Sequence, residues 1–424
     1  EKINIIFKKP FLMKIAILIG GKGSRVLKIS RSTPKSFLKI NKDSIIDHQL
    51  KQLSKLNKKI FLISNNRISK FNNQLKDKYK SINLKIFEES TPLGTGGCLK
   101  PLQNYKSNNY LIIMGDLIFN IDLKKFYSFH KKNRSDFTLL AHPNDHPFDS
   151  DLLEINEKNQ LIKLYNKPHK KNDIGNLSSS GIFLINKKIF KYIENNKFQD
   201  LTKDILPKLL KKKIKVYAYN TREYVKDAGT PDRINLIKKQ VKTIRFINGN
   251  INKKLPAIFL DRDGVINKEY LNKHYQNPME INKGAISAVK KINNNGFLSV
   301  IITNQPAIAK GIITLDKLKK DHKKLEYEFG LKGAYFDRIY FCPYHPEKGF
   351  KGEIKKFKKK SSWRKPDNGM FLQAIKDLNI DIKKSYMIGN SSADYYAAKK
   401  TGIKCLLIGK KFSIKGVKNY KSLY

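Results

Sequence analysis

The sequence is poor in cysteine, in tryptophan and in acidic residues. It has three cysteines in 424 residues, too few for the disulfide framework of a small secreted domain, so a reducing cytoplasm is the expected compartment. No apolar stretch approaches the ~20 residues of a membrane-spanning helix, and no membrane partner is expected. Hydrophobic residues still make up 40% of the chain. A chain of this length and composition can bury a core and is not disordered throughout.

The shortage of acidic residues leaves a net charge of +50, from 86 Lys and Arg against 36 Asp and Glu. Only 10 of the 86 are Arg, whereas nucleic-acid sites usually rely on the planar Arg fork. Lys is spread along the chain together with Asn and Ile. This pattern indicates a general bias of composition towards these residues on an ordinary surface. No nucleic-acid-binding motif is present. The charge suits phosphorylated substrates, and no nucleic-acid partner is expected.

Short apolar stretches alternate with helix-like segments along the chain, which predicts the α/β class with mainly parallel sheets flanked by helices. A polar stretch near Val241 interrupts the pattern, which restarts after Pro256. The basic N-terminal segment lacks a small-residue cleavage site, so it predicts an extension upstream of a possible start at Met13 and not a signal peptide. We therefore predict an extension (1–12), a Rossmann-like domain (13–240), a linker (241–254) and a second α/β domain (255–424).

A glycine-rich turn follows the first apolar strand of the N-terminal domain, in the order Gly20, Gly21, Lys22, Gly23, Ser24 and Arg25. Glycines let a backbone approach a phosphate, and successive amides form an anion-binding nest. An arginine at its end adds a charge-assisted clamp. Four motifs follow, namely Pro34-Lys35, the loop from Thr91 to Gly97, Met114-Gly115-Asp116, and the stretch from Asp227 to Pro231.

These five motifs, in this order between Met13 and Lys239, resemble those of the sugar-nucleotide pyrophosphorylases, which are nucleotidyltransferases acting on sugar 1-phosphates. The resemblance implies that a sugar phosphate oxygen attacks the α-phosphorus and pyrophosphate leaves. That reaction needs positioning and charge neutralisation more than a side-chain nucleophile. The implied roles are nucleotide binding by Gly20, Gly21, Gly23, Ser24, Gly94 and Thr95, catalytic charge neutralisation by Arg25 and Lys35, sugar phosphate binding by Lys167, and Mg²⁺ binding by Asp116 and Asp227.

Two carboxylates one residue apart, Asp261 and Asp263, follow the first apolar strand of the C-terminal domain. Such a pair can supply a nucleophile that attacks phosphorus and an acid that protonates the leaving oxygen and then activates water. Apolar strand ends rarely carry two acids without a ligand that neutralises them. Later motifs contain Thr303, Asn304, Arg364, Lys365, Asn390 and Asp394.

The order of these motifs resembles that of the haloacid-dehalogenase (HAD) phosphatase superfamily, here expected with a minimal cap. The stretches LDRDGVIN, TNQ and RKPDNGM are nearer still to the heptose-1,7-bisphosphate and histidinol-phosphate phosphatases. The resemblance covers 256–409 and implies that Asp261 is the nucleophile and that Asp263 is the general acid/base. It also implies phosphate binding by Thr303, Asn304, Arg364 and Lys365, and Mg²⁺ binding by Asp261, the carbonyl of Asp263, Asn390 and Asp394.

Several residues depart from the patterns of the two families. Asn166 and Thr202 stand where the nucleotidyltransferases often have an acid near the sugar, which leaves the sugar open. Asn390 stands where the phosphatases usually have Asp, so weak Mg²⁺ binding is expected and a slow or silent phosphatase is an alternative. Relatives often carry Cys-x-His and Cys-x-Cys in the loop before Arg364, a pattern typical of a structural zinc site, but here only Cys342 matches a ligand position and His345 is one place off. No zinc is expected there.

Together the resemblances imply a bifunctional enzyme of nucleotide-activated heptose synthesis. One half would remove the 7-phosphate of a heptose 1,7-bisphosphate, and the other would transfer a nucleotidyl group to the resulting 1-phosphate. GTP is the preferred nucleotide because EESTPLGTGG and DAGTPDRI resemble heptose-1-phosphate guanylyltransferases. Cytidylyl, uridylyl or adenylyl transfer to another sugar is an alternative, as is a histidinol-phosphate phosphatase. The cofactor expected is Mg²⁺, and the oligomeric state stays open.

Overall fold

The computed structural model describes residues 13–21, 33–65, 68–269, 279–409 and 419–423. The predicted extension 1–12 and the turn residues Gly23, Ser24 and Arg25 lie outside the described residues. The chain divides into two compact units. The first comprises Glu1–His142, Leu153–Asn166 and Ser179–Lys242, and the second Pro143–Leu152, Lys167–Ser178 and Thr243–Tyr424.

Strands and helices alternate over the described part of the chain. The strands are β1 (Met13–Leu18), β2 (Lys39–Ile40), β3 (Asp43–Ser44), β4 (Lys59–Asn65), β5 (Asn83–Glu89), β6 (Asn109–Met114), β7 (Leu117–Asn120), β8 (Phe137–Pro143), β9 (Leu152–Ile155), β10 (Leu161–Tyr165), β11 (Leu177–Asn186), β12 (Val216–Asn220), β13 (Tyr224–Asp227), β14 (Ala257–Leu260), β15 (Leu298–Asn304), β16 (Arg338–Cys342), β17 (Tyr386–Gly389), β18 (Lys404–Ile408) and β19 (Asn419–Tyr420). The α-helices are α1 (Ile45–Leu53), α2 (Ser69–Lys78), α3 (Gly94–Gly97), α4 (Leu123–Lys132), α5 (Leu206–Lys211), α6 (Pro231–Gln240), α7 (Ile244–Ile247), α8 (Ala285–Asn294), α9 (Leu315–Leu331), α10 (Gly369–Leu378) and α11 (Ser392–Thr401).

The main sheet of the first unit has the order β10-β9-β11-β6-β1-β4-β5, with β8 pairing β11 and β12. Strand β1 is parallel to both β4 and β6, whereas β11 is antiparallel to β6. Ile15, Ala16 and Ile17 of β1 are all buried, as a parallel strand covered on both faces requires. The expectation of a mainly parallel sheet is confirmed, and the antiparallel β11 makes the sheet mixed.

A second, two-stranded sheet lies at the carboxyl end of β6. Strand β7 pairs antiparallel with β13, with Leu117 opposite Asp227. The N–H of Ala228 also donates to the backbone carbonyl of Asp116 at 2.8 Å. This pairing places Asp116 and Asp227, which are far apart in sequence, beside each other in the fold.

Helix α1 packs one face against the core of the first unit. Ser44 and Asp47 form a capping box at its N-terminus, which satisfies amides that the helix itself cannot. Its buried positions follow helical spacing: Ile45, Ile46, Asp47, Gln49, Leu50 and Leu53. Most are apolar, and the exception that matters for the site is Gln49, which has no exposed surface.

The second unit is built on an all-parallel sheet of order β16-β15-β14-β17-β18-β19. The expected parallel sheet is confirmed here too. Strand β14 is central, and the carboxyl ends of β14, β15 and β17 meet at one edge, where ligands bind in sheets of this kind. Over the described residues, no helix is long and apolar enough to cross a membrane.

Candidate active sites

The first candidate site begins where β1 turns at Gly20. The side-chain amide of Asn65 donates to the carbonyl of Gly20 at 2.6 Å. A Cβ on Gly20 would lie 3.2 Å from the carbonyl carbon of Ser64, so a side chain there would crowd the neighbouring strand. Close packing therefore accounts for Gly20, and it brings the chain end of β1 against that of β4.

The glycine-rich loop around Gly94 packs against the backbone near Gln199. The amides of Gly96 and Gly97 donate to the carbonyl of Gln199 at 2.7 and 3.1 Å. Gly94 has φ +73°, and a Cβ there would lie 2.5 Å from the same oxygen. The hydroxyl of Thr95 donates to Asp200 at 2.8 Å. Contacts within the first unit therefore explain why this loop needs glycine. The sequence pattern alone suggests a different reason, the close approach of the backbone to a nucleotide.

The two predicted metal-binding acids, Asp116 and Asp227, are both partly exposed and both paired with a basic group. Lys35 contacts the Asp116 carboxylate directly. Arg233 donates to Oδ1 of Asp227 at 2.7 Å, and the amide of Gly229 donates to the same oxygen at 2.9 Å. The structure therefore brings together Lys35, Asp116 and Asp227, to which the resemblance assigns phosphate and cation binding.

The donor set around Asp116 and Asp227 fits a hard divalent cation. Carboxylate oxygens are the ligands that Mg²⁺ prefers, and Mg²⁺ commonly takes its other ligands from water and substrate phosphates. No group of three or more His, Cys, Asp or Glu side chains that could hold a metal occurs within the described residues. A cation held by two acids would therefore depend on the nucleotide for part of its coordination.

Lys167 and Glu89 each form hydrogen bonds close to their own place in the sequence. Lys167, the predicted sugar phosphate ligand, donates to the carbonyl and to Oδ1 of Asp149, at 2.7 and 3.0 Å, within the second unit. Glu89 was not singled out from the sequence, although it belongs to the quoted EES stretch. Its Oε1 accepts from the amide of Leu93 at 3.1 Å, and its Oε2 lies 3.4 Å from where a Cβ on Gly20 would be. Burial raises the pKa of Glu89.

The second candidate site centres on Lys365, which is buried at the carboxyl edge of the parallel sheet. Its ammonium donates to Oδ1 of Asp261 at 2.7 Å, to Oδ1 of Asp394 at 2.5 Å and to the carbonyl of Ile302 at 2.8 Å. Burial disfavours its charge, but the two carboxylates outweigh that effect and raise the pKa of Lys365. One ammonium group thus faces two carboxyl groups.

The pKa of Asp261 is shifted far from its usual value. Burial, together with the charges of Asp394 and Asp263, raises the pKa of Asp261 to about 7 even though Lys365 opposes the shift. A carboxylate that is short of compensating charge attracts a cation or reacts with an electrophile. It lies at the end of β14, where the resemblance implies a nucleophile and a metal ligand.

The carboxylate of Asp263 is held by three neighbouring side chains. Arg262 donates to both oxygens at 2.9 to 3.1 Å, Asn267 donates to Oδ1 at 2.9 Å, and Gln305 donates to Oδ2 at 2.7 Å. Sequence reasoning did not assign roles to Asn267 or Gln305. The signal was present, since Gln305 completes the TNQ motif and Asn267 ends the stretch LDRDGVIN.

The residues predicted to bind phosphate lie beside this cluster. Asn304 and Lys365 exchange two hydrogen bonds through the backbone of Lys365, at 2.9 and 3.0 Å. The hydroxyl of Thr303 accepts from Gln305 at 3.0 Å. Arg364 donates to the carbonyl of Tyr344 at 3.3 Å. The predicted set is therefore brought to one edge of the sheet, with Arg364 directed at the loop that follows β16.

Asn390 and Asp394 make contacts that compete with metal binding. The side-chain Nδ2 of Asn390 donates to the carbonyl of Asp263 at 3.2 Å. Oδ2 of Asp394 accepts from the amides of Asn390 and Ser391 and from the Ser391 hydroxyl, while its Oδ1 binds Lys365. All four predicted ligands therefore have a protein partner, because Lys365 also binds Asp261 and Asn390 binds the Asp263 carbonyl. The carboxylate of Asp261 and the carbonyl of Asp263 still offer oxygens of the kind that Mg²⁺ prefers.

The loop before Arg364, which was weighed above as a zinc site, is packed with aromatic rings and lysines. The ring centroids of Tyr344 and Phe357 are 5.8 Å apart, and Lys310 and Lys358 lie 4.4 and 4.6 Å from the centroid of Phe350. Sulfur of the buried Cys342 lies 4.0 Å from the carbonyl of Tyr344. Cation–π and ring contacts thus link this loop to the segment that follows β15.

Comparison with known proteins assigns a family to each half of the chain. A family model described as nucleotidyl transferase matches residues 14–243, and one described as HAD-hydrolase-like matches 362–413. D-glycero-beta-D-manno-heptose-1,7-bisphosphate 7-phosphatase of Vibrio cholerae serotype O1 is 37% identical over 148 residues, which are 35% of this chain and 77% of that protein. The same enzyme of Haemophilus ducreyi is 36% identical over 166 residues, 38% of this chain and 88% of that protein. The crystal structure of HddC from Yersinia pseudotuberculosis is 24% identical, with a TM-score of 0.47, over 54% of this chain and all of that one.

Proposed function

We propose two successive reactions for this chain, which belongs to the nucleotidyl transferase family and, in its C-terminal part, to the family of the D-glycero-beta-D-manno-heptose-1,7-bisphosphate 7-phosphatases. The phosphatase half, 255–424, removes the 7-phosphate of a D-glycero-D-manno-heptose 1,7-bisphosphate. The nucleotidyltransferase half, 13–240, then transfers GMP from GTP to the heptose 1-phosphate, and 241–254 links the two. The product of the first reaction is the substrate of the second, which is a chemical reason to join both in one chain.

The observation that carries the phosphatase assignment is the buried Asp261–Lys365–Asp394 cluster beside Asp263. Asp261 attacks the phosphorus of the 7-phosphate, and the bond between phosphorus and the sugar oxygen breaks while Asp263 gives that oxygen a proton. Asp263 then takes a proton from water, which attacks the aspartyl-phosphate and releases phosphate. Thr303, Asn304, Arg364 and Lys365 hold the phosphoryl oxygens.

Nucleotidyl transfer needs no protein nucleophile. An oxygen of the heptose 1-phosphate attacks the α-phosphorus of GTP, and the bond to the pyrophosphate oxygen breaks. Lys35 and Arg25 offset the charge that develops. The nucleotide is bordered by Gly20, Gly21, Gly23, Ser24, Gly94 and Thr95. Asp116 and Asp227 would hold Mg²⁺ in this half, and Asp261 and the Asp263 carbonyl would hold it in the other half. When bound, Mg²⁺ would neutralise phosphate charge.

Glu89 supports guanine as the base. An ionised carboxylate only accepts hydrogen bonds, and among the described residues Oε2 of Glu89 has no hydrogen-bond partner. Guanine offers two adjacent donors, N1–H and the N2 amino group, whereas cytosine, adenine and uracil each present at least one acceptor on the corresponding edge. A half-buried carboxylate beside Gly20 therefore favours GTP.

The test is product formation by the full chain. Phosphate release is measured with heptose 1,7-bisphosphate and Mg²⁺, and pyrophosphate release with four nucleoside triphosphates and heptose, mannose or glucose 1-phosphate. We expect phosphate from the bisphosphate, and pyrophosphate fastest with GTP and heptose 1-phosphate. Faster pyrophosphate release with another sugar or base would replace the proposed substrates of the first half.

A second candidate function keeps the nucleotidyltransferase but makes the phosphatase half a silent module. It is favoured by Asn390, which donates to the Asp263 carbonyl where a cation would bind. This candidate predicts pyrophosphate release from heptose 1-phosphate but no phosphate release from the bisphosphate at any Mg²⁺ concentration.

A further inference from the structure

Gln49 contacts both ends of the turn that carries Asp116. It projects from α1 and is completely buried. Its Nε2 donates to the carbonyl of Met114 at 3.0 Å and to the carbonyl of Leu117 at 2.9 Å. These two carbonyls flank Gly115 and Asp116, so one side-chain amide bridges the turn between β6 and β7.

The same turn is fixed on two other sides. The amide of Gly115 donates to the carbonyl of Leu18 at 2.9 Å, and a Cβ on Gly115 would lie 2.6 Å from that oxygen. The carbonyl of Asp116 accepts from the amide of Ala228. Strand β1 and the end of β13 thus hold the middle of the turn, and Gln49 holds its two ends.

We propose that Gln49 is a positioning residue that fixes the Asp116 carboxylate for a divalent cation; this inference rests on the proposed nucleotidyl transfer with Asp116 as a ligand. Partners that orient a metal ligand set its affinity without touching the metal. With both N–H groups of Gln49 directed at the turn, its Cα on α1 and the backbone of Asp116 keep a fixed separation.

The unpaired oxygen of Gln49 argues that its donors are required. Its Oε1 is buried and has no hydrogen-bond partner among the described residues. Buried polar atoms are nearly always paired, and an apolar side chain of similar size would fill the position without an unpaired acceptor. A residue kept for packing alone would not be glutamine here.

Gln52, one turn further along α1, is a matched control. Its Nε2 donates to the carbonyl of Phe119 at 2.5 Å, so it also joins α1 to β7 through a side-chain amide. Its contact lies beyond the Asp116 turn. Gln49→Met and Gln52→Met each remove one side-chain amide from the same helix face, but only the first frees the turn.

The experiment uses the full chain and Mn²⁺ as the probe, with binding followed by electron paramagnetic resonance. The nucleotidyltransferase site is the fraction of Mn²⁺ binding that Asp116→Asn removes. We expect Gln49→Met to raise the Mn²⁺ Kd of that fraction by at least about tenfold. Gln52→Met should change this Kd little, and neither variant should change Mn²⁺ binding at the phosphatase site. Gln49→Asn, which keeps the amide but is one methylene too short to span the turn, should give the same direction and serves if the methionine variant folds poorly.

Three results would overturn the inference. These are equal shifts in the Gln49 and Gln52 variants, no shift in either Gln49 variant, or no fraction of Mn²⁺ binding that depends on Asp116. Failure of the proposed function is seen separately, as an absence of pyrophosphate release by the unaltered chain with every substrate pair while Asp116-dependent Mn²⁺ binding still responds to Gln49→Met.

Discussion

The side-chain amide of Asn390 donates to the backbone carbonyl of Asp263, 3.2 Å away. That carbonyl belongs to the proposed acid/base residue and is one of the oxygens proposed to face Mg²⁺. An amide donor and a cation compete for the same oxygen, whereas a carboxylate at position 390 would recruit the cation to it. The competence of the phosphatase half therefore depends on which of these two partners the carbonyl has during turnover.

Asp261→Asn should abolish phosphate release and spare nucleotidyl transfer. An amide is a far poorer nucleophile than a carboxylate, and the expected loss is roughly a thousandfold or more, as when other covalent enzymes lose their nucleophile. Phosphate and pyrophosphate release are measured on the same preparation. The reciprocal control is Asp116→Asn, which should remove pyrophosphate release only. If either variant lost both activities equally, the two reactions would share a site.

Glu89→Gln should change the preferred base. Glutamine offers one acceptor and one donor in place of two acceptors, which suits the N3–H and O4 of uracil better than the two donors of guanine. We expect kcat/KM for GTP to fall by roughly tenfold to a hundredfold, the scale of a bidentate contact, relative to that for UTP.

Inosine triphosphate, which lacks the N2 amino group, is the control for the Glu89 contact. The unaltered chain should use it less well than GTP, and Glu89→Gln should reduce that difference. An unchanged ratio of GTP to inosine triphosphate in the variant would show that Glu89 does not read the base, even if GTP remains the preferred substrate.

His130 should stay neutral in the folded protein well below pH 6. It is buried, with Nδ1 2.7 Å from the Thr138 hydroxyl and Nε2 3.1 Å from Oδ1 of Asn109. Burial, assisted by Lys131, lowers the pKa of His130 to about 4, against about 6.5 in an unfolded chain. Between these values the unfolded state binds the extra proton, so stability falls as the pH falls from 6.5 towards 4, by about 3 kcal/mol in total.

The pKa of His130 is measured directly by NMR titration of its Cε1–H resonance. Unfolding of the first unit by urea is then followed against pH for the unaltered chain and for His130→Gln, whose side chain does not titrate. The variant should lose part of the acid sensitivity below pH 6.5. Parallel pH curves for the two proteins, or a resonance that titrates near 6.5, would contradict the assignment.

The sequence predicts the phosphatase site better than the nucleotidyltransferase site. Asp261, Thr303 and Asn390 each lie at the carboxyl end of an apolar strand, and in an all-parallel sheet such ends meet at one edge. Strand pattern alone therefore brings them together. Asp227 reaches Asp116 through the antiparallel pairing of β13 with β7, a long-range contact that no local pattern encodes; it was predicted only because the motifs resembled a family.

Contacts made by buried side chains were the least predictable feature. The sequence pattern around Gly94 and Gly97 predicts a nucleotide-binding loop. In the structure, a Cβ on either glycine would collide with the backbone near Gln199, some hundred residues later in the sequence. Gln49 lies in an ordinary amphipathic helix and carries no motif. Such roles depend on which elements become neighbours after folding, so they emerge from the tertiary structure and not from periodicity.

Asn390→Asp is the sharpest test of the phosphatase half. If Asn390 is a weakened metal ligand, the added carboxylate should lower the Mg²⁺ concentration needed for half-maximal phosphate release, because charge on the ligands increases affinity for a hard cation. The alternative is that the new acid adds a third negative charge beside Asp261 and Asp394, which share Lys365 as their cation among the described residues, and that it destabilises the fold. Phosphate release against Mg²⁺ and thermal unfolding with and without Mg²⁺ separate these outcomes, because a recruited cation restores the stability that an unpaired acid removes.

Asn390→Ala is the control, since it removes the amide contact to Asp263 without adding charge. If only Asn390→Asp turns over heptose 1,7-bisphosphate, the phosphatase half of this chain is a decayed enzyme, and the first of the two proposed reactions is wrong.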